Sequence, residues 1–376
     1  MCDATEDIIK IAQDSIMAYY GMDDPENKAY ALAVNAATSD EAKELLKECT
    51  IVDTCSFYIE TDNWHLRESG VTAMNLTVPD VMDDMGHAVK AIMDHYEVAN
   101  RYPERFKIIE TTDDIRECKA TGKVGLIIGA QSCKFIEHGD LYASCEVFAK
   151  MGLRVMQIGY NQRTFASDGC LSGDAGLSLT GKILIPAMEK AGITVDLSHV
   201  GARSALEALD LAELPVFSHS NPRALFDHPR NISDEAIKKC GAKGGVIGIC
   251  SYVPILYNGK DLPSVDGFVD AIAYVADMIG IDHVGIGVDS NAQPGAYDRY
   301  DMRHLMDLVA PNREVYLAGA RAGLGKASAY PKGLFSLANN VNIIDTMLKR
   351  GFSHEDVKKV MGENWMRVFA KTWRNG

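Results

Sequence analysis

TVDLSH (residues 194–199) and PVFSHS (residues 215–220) are two short runs that end at the same Ser-His pair. Each combines β-branched and apolar residues, which predicts a strand. Because the carboxyl ends of parallel strands meet at one face of a sheet, His199 and His219 are expected to share a site there. Neutral imidazole is the commonest protein ligand of zinc, so the pair predicts a metal site. The alternative is a pair of capped, hydrogen-bonded histidines at strand ends.

Six further runs rich in Val and Ile recur along the chain. They cover residues 50–56, 71–78, 124–130, 153–159, 245–250 and 283–289. Most lack a polar alternation, as strands buried on both faces do. Helical patterns separate the strands, and they cover residues 81–100, 138–150, 179–191, 202–209, 234–242 and 265–279. Eight strands that alternate with helices predict an α/β fold, a (β/α)8 TIM barrel.

The whole chain, residues 1–376, is predicted to form a single barrel domain. Helical spacing predicts N-terminal helices over about residues 1–48 and a helical C-terminal tail from about residue 300 to 376. No linker or low-complexity segment divides the sequence.

Composition narrows the class of partner and the compartment. The 376 residues carry a formal net charge of -14, which argues against nucleic acid or an anionic membrane as partner. No apolar run approaches the length of a membrane span, and the acidic N-terminus lacks the order of a secretory signal. The nine cysteines form no CxxC pair and are interpreted as reduced thiols. A cytoplasmic protein is expected.

Polar side chains follow several of the predicted strands, where the active site of such a barrel lies. They are Cys55 after the first strand, Gln131 after the third, Tyr160 and Asn161 after the fourth, and Asp289 after the eighth. Asp289 can take the proton of a metal-bound water or ligate the metal itself, and the alternative is a structural carboxylate. Tyr160 and Asn161 are candidates for lining the substrate pocket.

Arg230 lies in the loop between His219 and a helix whose predicted N-cap is Ser233. A guanidinium beside the site can clamp a substrate carboxylate through two parallel hydrogen bonds. The alternative is a surface arginine paired with Asp227 or Asp234.

Five motifs in the middle of the chain resemble the membrane dipeptidase (renal dipeptidase) family of amidohydrolase-type barrels. They are GLSLTG (176–181), VDLSH (195–199), FSHSN (217–221), HPRN (228–231) and KGGVIG (243–248). Weaker matches occur at residues 51–53 and 362–369, so the resemblance covers nearly the whole chain. It supports a metal-dependent barrel of the amidohydrolase type.

The resemblance implies hydrolysis of dipeptides by two zinc ions that a glutamate bridges. In the family, an HxD pair after the first strand holds one ion and two histidines after strands five and six hold the other. Carried over, His199 and His219 match the ligands of the second ion. Asp289 matches the group that handles the proton, and Arg230 matches the residue that meets the substrate carboxylate. Tyr160 and Asn161 match a stretch near the substrate.

The sequence departs from the family at the other ion. Cys55, Ser56 and Phe57 stand where the family has HxD, and Gln131 stands where it has the bridging Glu. Phenylalanine cannot bind a metal in this way, and a neutral carboxamide adds no charge to offset two dications. We therefore expect zero or one zinc ion per chain. Cys55 is either a new thiolate ligand or a small buried apolar residue.

Three functions remain open at this point. The first is a dipeptidase-like hydrolase that acts on a dipeptide or similar small amide bearing a carboxylate, with at most one metal at His199 and His219. The second is a barrel enzyme with non-hydrolytic, metal-independent chemistry on a small carboxylate, using Cys55, a histidine and Asp289. The third is a non-catalytic binding protein. A homodimer is compatible with the resemblance, since family members often dimerise.

Overall fold

A computed structural model describes most of the chain. The described residues are 25–56, 59, 62–79, 81, 83–136, 139–173, 175–258, 263–289, 331–334 and 337–374. Phe57, the first half of the predicted N-terminal helical region and the first part of the predicted C-terminal tail lie outside them.

The strands follow the predicted order, with one addition. They are β1 (Val52–Ser56), β2 (Ala73–Thr77), β3 (Phe106–Ile108), β4 (Val124–Ala130), β5 (Leu153–Gln157), β6 (Thr194–Asp196), β7 (Ile247–Ile249) and β8 (Val284–Ile286). Neighbouring strands pair in parallel in the order β1, β2, β4, β5 and β6, and β7 pairs with β8. All seven residues of β4 are buried, as its apolar sequence predicts for an interior strand of a parallel sheet.

Two connections complete the ring. Val216 bridges to Asp196 and Phe217 bridges to Ile247, so residues 215–220 occupy the place of a strand between β6 and β7. At the other seam, the Asp289 N–H donates to the Cys55 carbonyl at 3.0 Å, which joins the end of β8 to β1. The chain therefore folds as the predicted (β/α)8 barrel.

Helices surround the strands. They are α1 (Pro25–Ala36), α2 (Asp40–Glu48), α3 (Trp64–Ser69), α4 (Met85–Arg101), α5 (Thr112–Thr121), α6 (Leu141–Lys150), α7 (Leu179–Ala191), α8 (Ala202–Leu211), α9 (Asp234–Ala242), α10 (Val253–Leu256), α11 (Val265–Ile279), α12 (Asn340–Lys349), α13 (His354–Lys358) and α14 (Asn364–Thr372). The predicted bounds of α7, α9 and α11 are confirmed. Ser233 caps α9 as predicted, because its side chain accepts a hydrogen bond from the Ala236 N–H.

Several predicted elements differ in extent. The run 194–199 is a strand only to Asp196, because the Asp196 carboxylate accepts the Ser198 N–H at 3.0 Å and turns the backbone out of the ladder. Helix α4 starts at Met85, where Asp84 caps it. Strand β3 lies beside the first half of β4. The sequence did not predict it, because three residues are too few to show a strand pattern.

The C-terminal helix seals the barrel at the end opposite the site. Trp365 of α14 is fully buried, and its indole N–H donates to the Ile286 carbonyl in β8 at 3.2 Å. Asn364 donates to the carbonyls of Ile281 and Val284, each at 2.8 Å. No helix in the described part of the chain is both long and apolar enough to cross a membrane.

Candidate metal and active site

His199 and His219 meet at the carboxyl end of the barrel, as predicted. Their Nε2 atoms lie 2.9 Å apart, and their side chains are 8% and 0% exposed. Burial, together with the charge of Arg230, lowers the pKa of both imidazoles well below the usual value. Both rings are therefore neutral, which is the form that ligates a metal.

The outer nitrogen of each ring has a fixed partner. His199 Nδ1 lies 2.6 Å from Asn161 Oδ1, and His219 Nδ1 lies 2.7 Å from Ser218 Oγ. The Ser218 hydroxyl donates to the Asp196 carboxylate, so its oxygen accepts from His219. Because Asn161 Oδ1 and Ser218 Oγ both act as acceptors, each histidine carries its proton on Nδ1. The Nε2 lone pairs of the two rings therefore face each other. Metal-ligating histidines are oriented by hydrogen bonds of this type.

Three residues at the site adopt a left-handed backbone conformation. Asn161, His199 and Asp289 have φ angles of 50°, 65° and 57°, and no other non-glycine residue in the described part of the chain has a positive φ. Such conformations cost about 1–3 kcal/mol each and cluster at functional sites. The three strained non-glycine positions in the described part of the chain are therefore all predicted site residues.

Cys55 lies between Asp289 and Gln131. Its thiol donates to Asp289 Oδ1 at 3.1 Å, and Gln131 Nε2 donates to its sulfur at 3.2 Å. Burial, and then the nearby Asp289 carboxylate, raises the pKa of Cys55 well above the usual value for a thiol. In the absence of a cation, this environment favours the thiol over the thiolate that covalent catalysis needs.

Asp289 follows β8 and lies beside the imidazole of His219. One ligand atom from each of Cys55, His219 and Asp289 forms a group in which all separations are within 4.8 Å. His199 is not a member of this close group. The pKa of Asp289 is raised above its usual value, because burial outweighs the hydrogen bond from Cys55 and the charge of Arg230, which both lower it. The chemistry of these donors fits a borderline-soft divalent ion such as zinc, which binds imidazole, thiolate and carboxylate.

Arg230 is 3% exposed, and it is not the surface arginine that the alternative described. Its Nη1 donates to Ser220 Oγ at 3.0 Å and its Nη2 to the His219 carbonyl at 2.7 Å. Asp227 pairs instead with Arg223. The guanidinium is thus fixed directly behind His219 by two of its five N–H donors.

Tyr160 contributes a ring to the same site. It stacks on His199, with ring centroids 4.2 Å apart and planes inclined by 24°. The adjacent Asn161 is 2% exposed and its Oδ1 lies 2.6 Å from His199 Nδ1, so it orients the imidazole; its place in the substrate pocket stays a prediction.

Two buried carboxylates were missed at the sequence level. Asp196 accepts hydrogen bonds from the N–H groups of Ser198 and Ser218, and Asp53 accepts from Ser56 Oγ at 2.7 Å and from the Val288 N–H at 2.8 Å. Burial raises the pKa of Asp53 to about 7. The signal was present, because each aspartate follows a valine within an apolar run.

Comparison with known proteins gives consistent matches. A family profile described as Membrane dipeptidase (Peptidase family M19) matches residues 9–311. Dipeptidase tcpJ from Claviceps purpurea is 29% identical over 275 residues, which is 72% of this chain and 56% of that protein. The chain thus spans little more than half the length of this curated relative.

Solved structures show the same architecture. An amidohydrolase from Pseudomonas aeruginosa superposes with a TM-score of 0.76 at 29% identity, covering 88% of this chain and 99% of that one. A metallopeptidase from Rhodobacter sphaeroides, solved with a phosphinate mimic of the dipeptide L-Ala-D-Ala, superposes with a TM-score of 0.70 at 16% identity. That match covers 86% of this chain and 99% of the other, and it shows the fold.

Proposed function

Because this chain belongs to the membrane dipeptidase family, peptidase family M19, we propose that it is a metal-dependent hydrolase of a dipeptide or similar small amide that carries a carboxylate. The observation that carries the proposal is the buried pair of Nε2 atoms at His199 and His219, 2.9 Å apart. Two ligand nitrogens on a tetrahedral zinc ion lie about 3.3 Å apart, so a shift of about 0.4 Å fits them to one ion. When bound, zinc polarises a carbonyl and lowers the pKa of water.

Asp289 is the residue that we assign to proton transfer. Its carboxylate lies beside His219 and Cys55 at the carboxyl end of the barrel, where the substrate of such a fold binds. The carboxylate can accept the proton of an attacking water and pass it to the leaving amine. The left-handed backbone at Asp289 fixes the direction from which the carboxylate reaches the site.

Arg230 is the residue that we assign to recognition of the substrate carboxylate. The bonds to Ser220 and the His219 carbonyl hold the guanidinium beside the backbone of His219. An arginine that is fixed before substrate arrives loses little side-chain entropy on binding. Tyr160, stacked on His199, is assigned to the wall of the same pocket.

Metal content and a dipeptide panel test the proposal together. We expect about one zinc per chain and hydrolysis of dipeptides, and His219→Ala should lose the metal and at least about 100-fold in kcat/KM. His354→Ala is the matched control, because His354 is exposed and pairs with Glu41 away from the site. A protein that hydrolyses no dipeptide, whether or not it binds metal, would refute the proposal.

A further inference from the structure

Cys55 is the donor at this site that the proposed function leaves without a role. Cys55 is 2% exposed, and its sulfur lies within 4.8 Å of a ligand nitrogen of His219 and of an Asp289 oxygen. In a tetrahedral zinc site, ligand atoms lie about 3.3–3.7 Å apart, so movements of about 1 Å bring the sulfur into the same coordination sphere. A buried thiol at this distance from an imidazole is close enough to ligate the same ion.

The facing imidazoles supply an independent reason to expect an ion here. Both Nε2 atoms are acceptors, because Asn161 and Ser218 hold the protons on the two Nδ1 atoms. Two buried acceptors that face each other require a proton or a cation between them. His219 belongs both to this pair and to the close group that contains Cys55, so one imidazole links the place that needs positive charge to the sulfur.

Gln131 donates a hydrogen bond to the sulfur of Cys55. One Nε2 hydrogen is directed at Cys55 Sγ at 3.2 Å and the other at Thr77 Oγ1 at 2.8 Å. A carboxylate at position 131 would repel a thiolate, whereas a carboxamide donates a hydrogen bond to it. The cysteine and the glutamine thus make one consistent chemical environment for a sulfur ligand.

We propose that Cys55 is a thiolate ligand of the ion held by His199 and His219, so that this chain carries a single-ion imidazole–thiolate centre. The inference rests on the proposed function for the presence of the ion. As the metal–sulfur bond forms, the S–H bond breaks and its proton leaves through Asp289 to solvent. Asp289 Oδ1, which accepts the thiol hydrogen bond at present, is then available to a water molecule. Thiolate and imidazole together select zinc or cobalt over magnesium, calcium or manganese.

Cobalt and zinc loading of the purified chain test this inference. We expect about one ion per chain and a sulfur-to-cobalt charge-transfer band in the near ultraviolet. Cys55→Ser should lose the band and weaken cobalt binding at least about tenfold. Cys250→Ser should keep the band; Cys250 is the matched control because it is buried and contacts Asp289 at 3.8 Å, but falls outside the group of close donors. X-ray absorption of the unaltered zinc protein needs no variant and should show a zinc–sulfur distance of about 2.3 Å.

The outcomes separate this inference from the proposed function. A band that survives in Cys55→Ser, a zinc spectrum without sulfur, two ions per chain, or no bound ion would overturn the inference. Hydrolysis of dipeptides without a sulfur ligand overturns the inference and leaves the proposed function standing. A sulfur-ligated ion in a chain that hydrolyses no dipeptide supports the inference and refutes the function.

Discussion

His199 Nε2 and His219 Nε2 lie 2.9 Å apart, although 20 residues separate the two histidines in the chain. Two separate structural features bring the two rings together. A left-handed backbone turns His199 inward after β6, and the Asp196 carboxylate holds Ser218, which in turn holds His219. The same aspartate therefore ends strand β6 and positions the imidazole that we propose as a metal ligand.

Asn161 is predicted to orient His199, so its loss should weaken metal binding. Asn161→Ala and Asn161→Gly both remove the hydrogen bond from His199 Nδ1 and should lower zinc affinity about 10- to 100-fold. Both residues must adopt φ of 50°, which should cost the alanine variant about 1–2 kcal/mol in the free energy of unfolding relative to the glycine variant. Chelator competition and urea unfolding measure the two effects. Wild-type zinc affinity in both variants would contradict the orienting role.

The sequence predicts the barrel well because strand burial and helical spacing are local signals. The runs ending at His199 and His219 gave the imidazole pair, since parallel strands place their carboxyl ends together. Local patterns cannot show that residues 215–220 make only two bridges. That outcome depends on Ser218, whose N–H bonds the Asp196 carboxylate instead of a neighbouring strand.

The sequence could not predict the contacts of Cys55, because they join residues that are far apart in the chain. Its partners Gln131 and Asp289 lie 76 and 234 residues away along the chain. The fold places all three at one end of the barrel, but the side-chain directions decide whether a thiol donates to a carboxylate or remains a packed apolar group. The sequence alone therefore cannot decide between the two alternatives for Cys55.

Arg230→Lys is predicted to raise KM for dipeptides far more than it lowers kcat. Lysine keeps the charge but loses the planar fork that binds a carboxylate, and a hydrogen bond to a charged group contributes about 1.5–3 kcal/mol, or about 10- to 100-fold in KM. The control is a dipeptide amide without the carboxylate, on which wild type and variant should perform alike. Equal KM of the wild-type enzyme for acid and amide would contradict the assignment.

Gly287→Ala should destabilise the barrel next to the site. Gly287 follows β8, and an added Cβ would overlap the Ser218 carbonyl oxygen. Overpacking of this kind costs about 1–3 kcal/mol in the free energy of unfolding. Gly267→Ala in α11 is the control, because a Cβ there meets nothing within 4 Å and alanine favours the helix by up to about 1 kcal/mol. The free energy of unfolding measured in urea should therefore fall for Gly287→Ala and rise for Gly267→Ala. A Gly287→Ala protein as stable as wild type would contradict the close approach of residue 287 to the Ser218 carbonyl.

His95 is predicted to make the fold sensitive to acid. It is fully buried in α4, its Nδ1 lies 2.9 Å from the Ala91 carbonyl oxygen, and burial lowers its pKa to about 4. The unfolded chain takes up this proton near pH 6.5 and the folded chain does not, so stability is full above pH 6.5 and falls as the pH drops toward 4. The loss should reach about 2 kcal/mol at pH 5 and about 3 kcal/mol at pH 4. Urea unfolding of wild type and His95→Gln at pH 7.5 and pH 5 isolates the effect, because glutamine does not titrate and other acid-sensitive groups are common to both proteins. The difference in unfolding free energy between them should shift by about 2 kcal/mol in favour of the variant at pH 5, whereas a constant difference would mean that His95 takes up its proton without unfolding.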